Sequence, residues 1–177
     1  SMLILVLATV FAISQQVRIE MPIKATGGVV ADTLDNGQIV SLQLSSDDAE
    51  QENDEVDSPY DDDLDAGWEG APDDQNILTM GLRFRDLGIP PGSTINEAYI
   101  RLHTHEGKGA EDVAILNIWA EATDSAATFD EANFNNDYLL TDRPRTNAQV
   151  TWTVAEEWKI WTGYNSPDIS AVIQEVV

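Results

Sequence analysis

The chain contains no cysteine, so a disulfide framework and thiolate chemistry are both excluded. Histidine is nearly absent as well, since only His103 and His105 occur. Their spacing would place both on one face of a strand, but there is no third histidine and no cysteine to complete a transition-metal site. We therefore interpret the two histidines as strand residues rather than metal ligands.

Basic residues are also scarce. Nine lysines and arginines face 32 aspartates and glutamates, which leaves a net charge of −23 over 177 residues. Nucleic acid and anionic membranes would be repelled by this charge, so neither is expected as a partner. Cations are the natural partners, and the length predicts one domain, with room for an appendage.

Only one long apolar run is present, MLILVLATVFAI at residues 2–13. It is shorter than the roughly 20 apolar residues that a membrane-spanning helix requires, so no membrane span is expected. Continuous Leu, Ile, Val and Phe without alternation are typical of a strand that is covered on both faces. Residues 15–23 alternate until Pro22 and predict a second, half-buried strand, and residues 24–37 predict a linker.

Alternating apolar residues predict an all-β body over residues 38–177. Two antiparallel strands are expected on either side of the turn at Pro90-Pro91-Gly92-Ser93, with Ile95, Ile100 and Leu102 facing the core. Further strands are predicted at 39–44, 113–121 and 148–154. A short helix is expected to close the chain, with Ser166 as its N-cap and Pro167 at its first position.

Residues 47–74 contain 14 acidic residues and no basic one. Most of this run, residues 51–59, is interpreted as a solvated flexible loop. Two denser acidic clusters, at 47–50 and 61–67, are interpreted differently from this loop. A folded chain holds so many carboxylates together only when a cation neutralises them. Oxygen ligands in this number favour calcium, although the spacing is not that of an EF-hand loop.

Several phrases occur in an order that resembles a family of secreted bacterial β-sandwich domains, jelly-roll-like and similar in architecture to carbohydrate-binding modules. They are VSLQLSSDDAEQ (40–51), DLDAG (63–67), MGLRFRDLGIPPGSTINEAYIRL (80–102), LNIWAEATDSAATF (116–129), RPRTNAQVTWTV (143–154) and SPDISAVIQEVV (166–177). The resemblance implies an antiparallel β-sandwich with a secreted, extracellular or cell-surface location and no enzymatic activity. It also implies calcium ligands at Asp47, Asp48, Glu50, Asp63 and Asp65.

The chain departs from that family at its C-terminal end. Members continue past the helix with a very apolar strand, whereas this chain ends at Val177 and carries a run of the same character at its N-terminus. An incomplete sandwich and an apolar strand invite strand exchange between copies. The predicted donor residues are Leu3, Ile4, Leu5, Val6, Leu7, Val10 and Phe11.

Three functions were weighed on these observations. A structural subunit of an extracellular filament, assembled by strand donation into the next copy, is favoured. A carbohydrate-binding module is the alternative, with Trp158 and Trp161 as glycan contacts in a loop. An enzyme is not expected, because the carboxylates lie without a nearby histidine, lysine or nucleophile. The sequence leaves open whether the N-terminal strand pairs with its own chain or with another copy.

Overall fold

The structure is a computed structural model, which describes residues 2–9, 20–26, 38–42, 44–58, 64–65, 68–71, 74–104, 107, 109–110 and 113–177. Within these ranges the chain forms twelve strands and one short helix. The strands are β1 (Met2–Thr9), β2 (Glu20–Thr26), β3 (Gln38–Ser41), β4 (Asp48–Glu52), β5 (Glu55–Ser58), β6 (Trp68–Ala71), β7 (Asp74–Phe84), β8 (Thr94–Ala98), β9 (Arg101–His103), β10 (Ala114–Ala120), β11 (Val150–Val154) and β12 (Gly163–Asn165). The helix α1 spans Ser170–Gln174, and short 3-10 turns occupy Ser45–Asp47 and Leu140–Asp142.

The strands form two antiparallel sheets. The seven-stranded sheet has the order β11-β10-β1-β7-β4-β5, with β6 also paired to β7. The five-stranded sheet has the order β12-β9-β2-β3, with β8 also paired to β2. The prediction of an all-β protein with antiparallel sheets and one short helix is therefore confirmed, while a jelly-roll-like sandwich stays a prediction.

The main hydrophobic core draws side chains from both sheets and from α1. Met21 and Leu102 come from the five-stranded sheet, Leu82 and Ile118 come from the seven-stranded sheet, and Ile173 comes from the helix. The predicted inward positions Ile95, Ile100 and Leu102 are all buried in this core. A period of two accounts for Ile100 and Leu102, whereas Ile95 lies five residues before Ile100 in the separate strand β8.

A second apolar cluster covers the other face of the seven-stranded sheet. Its buried members are Ala49, Trp119, Ala126, Phe129, Phe134 and Leu140. Most of them belong to the excursion at residues 121–146, which crosses the outer surface of the sheet. Strand β10 consequently contributes to both clusters, with Ile118 in the main core and Trp119 in the second cluster. Cover on both faces of the apolar run at 2–13 stays a prediction.

Arg143 holds this excursion in place from a fully buried position. Its guanidinium donates to the Asn133 carbonyl oxygen at 2.7 Å, forms an ion pair with Glu121 at 3.2 Å, and lies 4.9 Å from the centre of the Phe129 ring. A planar donor with five N–H groups suits such a site, because several acceptors must be satisfied at once.

Replacing Arg143 with alanine is expected to lower the free energy of unfolding by about 3–5 kcal/mol, because Glu121 would be left buried without its partner. Urea denaturation of the full chain measures this loss. The matched control is Lys24→Ala, which removes an exposed ion pair with Glu97 and should cost far less. Equal losses in the two variants would contradict a stabilising role for the buried pair.

The structure departs from the sequence prediction around the proline turn. Strands β7 and β8 do not form a hairpin, because β7 belongs to the seven-stranded sheet whereas β8 pairs with β2 in the other sheet. The turn, in which Gly92 has φ of +75°, therefore carries the chain from one sheet to the other. Alternation assigned the buried face of each strand but could not assign its partner.

Three further boundaries differ from prediction. Lys24 to Thr26 were assigned to a linker but belong to β2, and residues 51–59 were assigned to a flexible loop but contain the β4–β5 hairpin. The helix begins at Ser170, three residues later than expected from Ser166 and Pro167. The reason is that Ser166 Oγ accepts the Ile100 N–H at 3.0 Å and so does not cap the helix.

Candidate functional site

The most distinctive site is the position of β1 in the seven-stranded sheet. This strand lies between β7 and β10 and is antiparallel to both. Val6 is opposite Met80 on one side and Ile118 on the other, and Leu5 is opposite Gly81 and Trp119. Both neighbouring strands are far from β1 in sequence. We call this position, bounded by β7 and β10, the strand slot.

The residues that line the strand slot are apolar on the face of the main core and mixed on the other face. Met80, Leu82 and Ile118 belong to the main core, whereas Trp119 belongs to the second cluster. Gly81 has no room for a side chain, because an added Cβ would lie 2.7 Å from Cζ of Phe129. A strand in this slot thus meets the apolar core on one face of the sheet. On the other face it meets polar residues as well, since Leu7 is opposite Thr79 and Asn117.

The structure places most of the predicted donor residues in this slot. Leu3, Ile4, Leu5, Val6 and Leu7 all lie in β1, and Val10 and Phe11 lie outside the described residues. In this structure β1 occupies the slot of its own chain, which is the arrangement of the competing hypothesis of closure within one subunit. The same ladder would form if β1 came from a neighbouring copy, because strand exchange reproduces the contacts of the closed monomer.

The predicted calcium residues separate into two environments. Asp47 is fully buried, and its carboxylate forms ion pairs with Arg83 at 2.7 Å and Arg85 at 3.0 Å. It also accepts the Leu44 N–H at 3.1 Å. Two arginines thus compensate its charge, and Asp47 links the start of β4 to β7, while its role as a cation ligand stays a prediction. Arg83 at the end of β7 and Arg85 just after it, two residues apart, were the signal that sequence reasoning missed.

The second environment surrounds Glu50, which is buried although no basic side chain forms an ion pair with it in the described part of the chain. Its carboxylate accepts the Asp65 N–H, and Asp57, which was not predicted to take part, hydrogen-bonds the same carboxyl. Burial raises the pKa of Glu50 to about 9, and the nearby charges of Asp65 and Asp57 add to this effect. Burial, together with the charge of Asp47, raises the pKa of Asp48 to about 6.

Asp57 and Asp65 are the acidic residues whose charges act on Glu50, and carboxylate oxygens are the ligands that a hard cation prefers. Across the described ranges, no group of three or more histidine, cysteine, aspartate or glutamate residues is arranged to hold a metal ion. Asp63, the remaining predicted ligand, lies outside those ranges. Calcium binding therefore stays a prediction, and it rests on the uncompensated burial of Glu50.

In the presence of a chelator, the melting temperature is expected to fall as the pH rises from about 5 to about 8. Glu50 binds a proton in the folded state up to about pH 9 and loses it in the unfolded state near its ordinary pKa of 4.5, so the unfolded state holds fewer protons in this window and stability decreases with pH. Calcium should raise the melting temperature most at the upper end of this pH range, because calcium binds the ionised carboxylates. The measurement is the melting temperature of wild type and of Glu50→Gln across this pH range, with chelator and with calcium.

The glutamine variant is the control for this experiment, because it should melt with a much weaker dependence on pH and respond less to calcium. A melting temperature that does not change with pH or with calcium in the wild-type protein would contradict a cation site at Glu50.

The two tryptophans proposed as glycan contacts have different environments. Trp158 is 5% exposed and stacks on Tyr164 with ring centres 4.6 Å apart. Its other neighbour is Trp152 at 5.4 Å, so Trp158 is a core residue and its ring is closed to a sugar. Trp161 is 66% exposed in the loop before β12, and its ring is accessible.

Comparison of the chain with protein-family models, with curated proteins and with solved structures finds no match. Within the described residues there is no helix of the length and apolar character that a membrane span requires. The features of this chain that bear on its function are therefore the strand slot, the surroundings of Glu50 and the exposed apolar side chains.

Proposed function

We propose that the protein is a structural subunit of a secreted filament on the cell surface or outside the cell, in which β1 of one copy fills the strand slot of the next. The observation that carries this proposal is the position of β1. It is a central strand of the larger sheet, yet it pairs only with strands that are distant in sequence and reaches β2, in the other sheet, through residues 10–19.

Withdrawal of β1 would divide the seven-stranded sheet into two parts. Strands β10 and β11 would lie on one side and β7, β4 and β5 on the other, each with an unpaired edge. Exposed strand edges beside an apolar core are ready acceptors for an extended segment. A second copy of the same chain supplies the segment that fits, so successive donations are head-to-tail and propagate unless the rotation closes a ring.

The joint would be strong because of the composition of β1. Six of its eight residues are large and apolar. Burial of such side chains contributes about 1.5–3 kcal/mol each, so the strand as a whole accounts for on the order of 10 kcal/mol before ordering costs are subtracted. Dissociation of a filament held in this way would be slow.

Calcium at Glu50 would reinforce the acceptor. Glu50 is opposite Met80 in the β4–β7 ladder, and Met80 is opposite Val6 on the other side of β7. A cation that orders β4 therefore supports the strand that forms one wall of the slot. The cation also offsets part of the net charge of −23, which otherwise opposes the approach of one copy to another.

Covalent capture of the pair Val6 and Ile118 tests the proposal, because a cross-link between copies forms only if β1 is exchanged. The alternative function, a non-catalytic carbohydrate-binding module, is supported by the exposed ring of Trp161. It lacks support from Trp158, whose ring is buried against Tyr164.

A further inference from the structure

Exposed apolar residues concentrate at one end of the molecule. Among the described residues, seven large apolar side chains are exposed, and five of them lie at the end of the seven-stranded sheet where β1 finishes. These five are Ile77, Val113, Ile115, Ile160 and Trp161, and we call them the exit face. The other two, Leu44 and Tyr138, lie elsewhere in the chain.

Strand register places the first three of these residues beside the last residue of β1. Thr9 is opposite Ile115 in β10, and Val113 precedes β10 by one residue. On the other side, Ala8 is opposite Leu78, so the next step of the antiparallel ladder sets Thr9 against Ile77. Ile77 and Val113 are each 47% exposed and Ile115 is 45% exposed. The excursion at 121–146, which covers the middle of the sheet, leaves this end open.

The remaining two residues belong to a loop over the same end. Residues 155–162 connect β11 to β12, and residues 104–113 connect β9 to β10, so both segments run between neighbouring strand ends of the two sheets. They are bonded to each other, since the Trp161 N–H donates to the Thr104 carbonyl oxygen at 2.7 Å and Thr104 Oγ1 donates to the Lys159 carbonyl oxygen at 2.6 Å. Ile160 and Trp161 are 54% and 66% exposed on this loop.

We infer that the exit face is the surface on which the body of the donating subunit docks, an inference that rests on the proposed strand exchange. The occupant follows from chain length. From Thr9 to Glu20 the chain can span at most about 40 Å even when fully extended. A folded domain of this size has a radius of gyration of about 16 Å. The body that owns a donated β1 is therefore held beside the end of the slot from which that strand emerges.

Docking at this face gives the exchanged state contacts that the closed monomer lacks. The β1 ladder is the same in both states, so it does not decide between them. Association costs translational and rotational freedom and brings together two chains of charge −23. Contact between copies would bury an exposed tryptophan and its apolar neighbours, which contributes favourable free energy to the filament and not to the closed monomer. Aromatic residues of this kind are the usual hot spots of interfaces.

The experiment compares assembly of wild type with the double variant Ile160→Ser and Trp161→Asn. Asparagine is chosen because Trp161 has φ of +60°, a conformation that asparagine tolerates. The double variant should require at least about tenfold more protein than wild type to sediment as filaments. Leu44→Ser, which removes an apolar side chain that is 53% exposed away from the exit face, is the control and should assemble like wild type.

The outcomes separate this inference from the proposed function. If wild type and the double variant assemble at the same concentration, strand exchange stands and docking at the exit face is wrong. If the double variant assembles normally but loses binding to polysaccharide, the surface is a sugar site and the inference is again overturned. If wild type forms no filament at any concentration, the proposed function fails and the docking surface fails with it.

Discussion

A chain that carries Val6→Cys and Ile118→Cys should yield a ladder of covalent oligomers on a denaturing, non-reducing gel. The two positions are directly opposite in the β1–β10 ladder. Opposite residues of antiparallel strands have Cα atoms about 4.5–5.5 Å apart, within the range that a disulfide requires. The natural chain has no cysteine, so no other disulfide can form. Strand exchange links each subunit covalently to the next, which produces the series of oligomer bands on the gel.

Closure within one chain gives a different pattern from the same variant. A disulfide between Val6→Cys and Ile118→Cys of one chain produces a single band at monomer size that runs faster than the reduced chain, and this result would falsify exchange. The matched control pairs Val6→Cys with Asn117→Cys. Asn117 is one residue out of register and belongs to the opposite face of β10, so little cross-linking is expected in either state.

Deletion of residues 1–13 is expected to have the largest effect on stability. The deletion removes β1 from the centre of the seven-stranded sheet and leaves the facing edges of β7 and β10 unpaired. Six residues of β1 are large and apolar, and burial of six such side chains is worth on the order of 10 kcal/mol, which is comparable with the whole stability of a typical domain. The truncated body should consequently be monomeric and melt at a much lower temperature than the full chain.

A synthetic peptide of residues 1–13 should restore much of that loss when it is added in trans. Its effect on the melting temperature should increase with peptide concentration, because a ligand that binds only the folded state stabilises it by RT ln(1 + [L]/Kd). A peptide with Val6→Asp is the control, since an acid would then lie between Met80 and Ile118. Equal melting temperatures for the truncated body and the full chain would show that the slot does not need β1.

The sequence was informative wherever a residue's own pattern determined its environment. The apolar pattern at Ile95, Ile100 and Leu102 identified residues that are buried, and the apolar run at 2–13 indicated a strand, which the structure describes as Met2–Thr9. The main strands of the body were also expected near their observed positions, although boundaries shifted. Periodicity and composition indicate whether each residue faces solvent or the core, and a single sequence contains that information.

Tertiary structure decided the pairing of distant groups. The acidic run suggested one kind of site, but only the fold set Asp47 against Arg83, while no basic side chain of the described ranges forms an ion pair with Glu50. It likewise buried Trp158 against Tyr164 while Trp161 remained exposed. Composition determined that the chain is acidic and free of cysteine, and the alternation of apolar residues indicated that it is built of strands. The partner of a strand or of a charged side chain depends on contacts between residues far apart in the sequence, and local patterns do not encode such contacts.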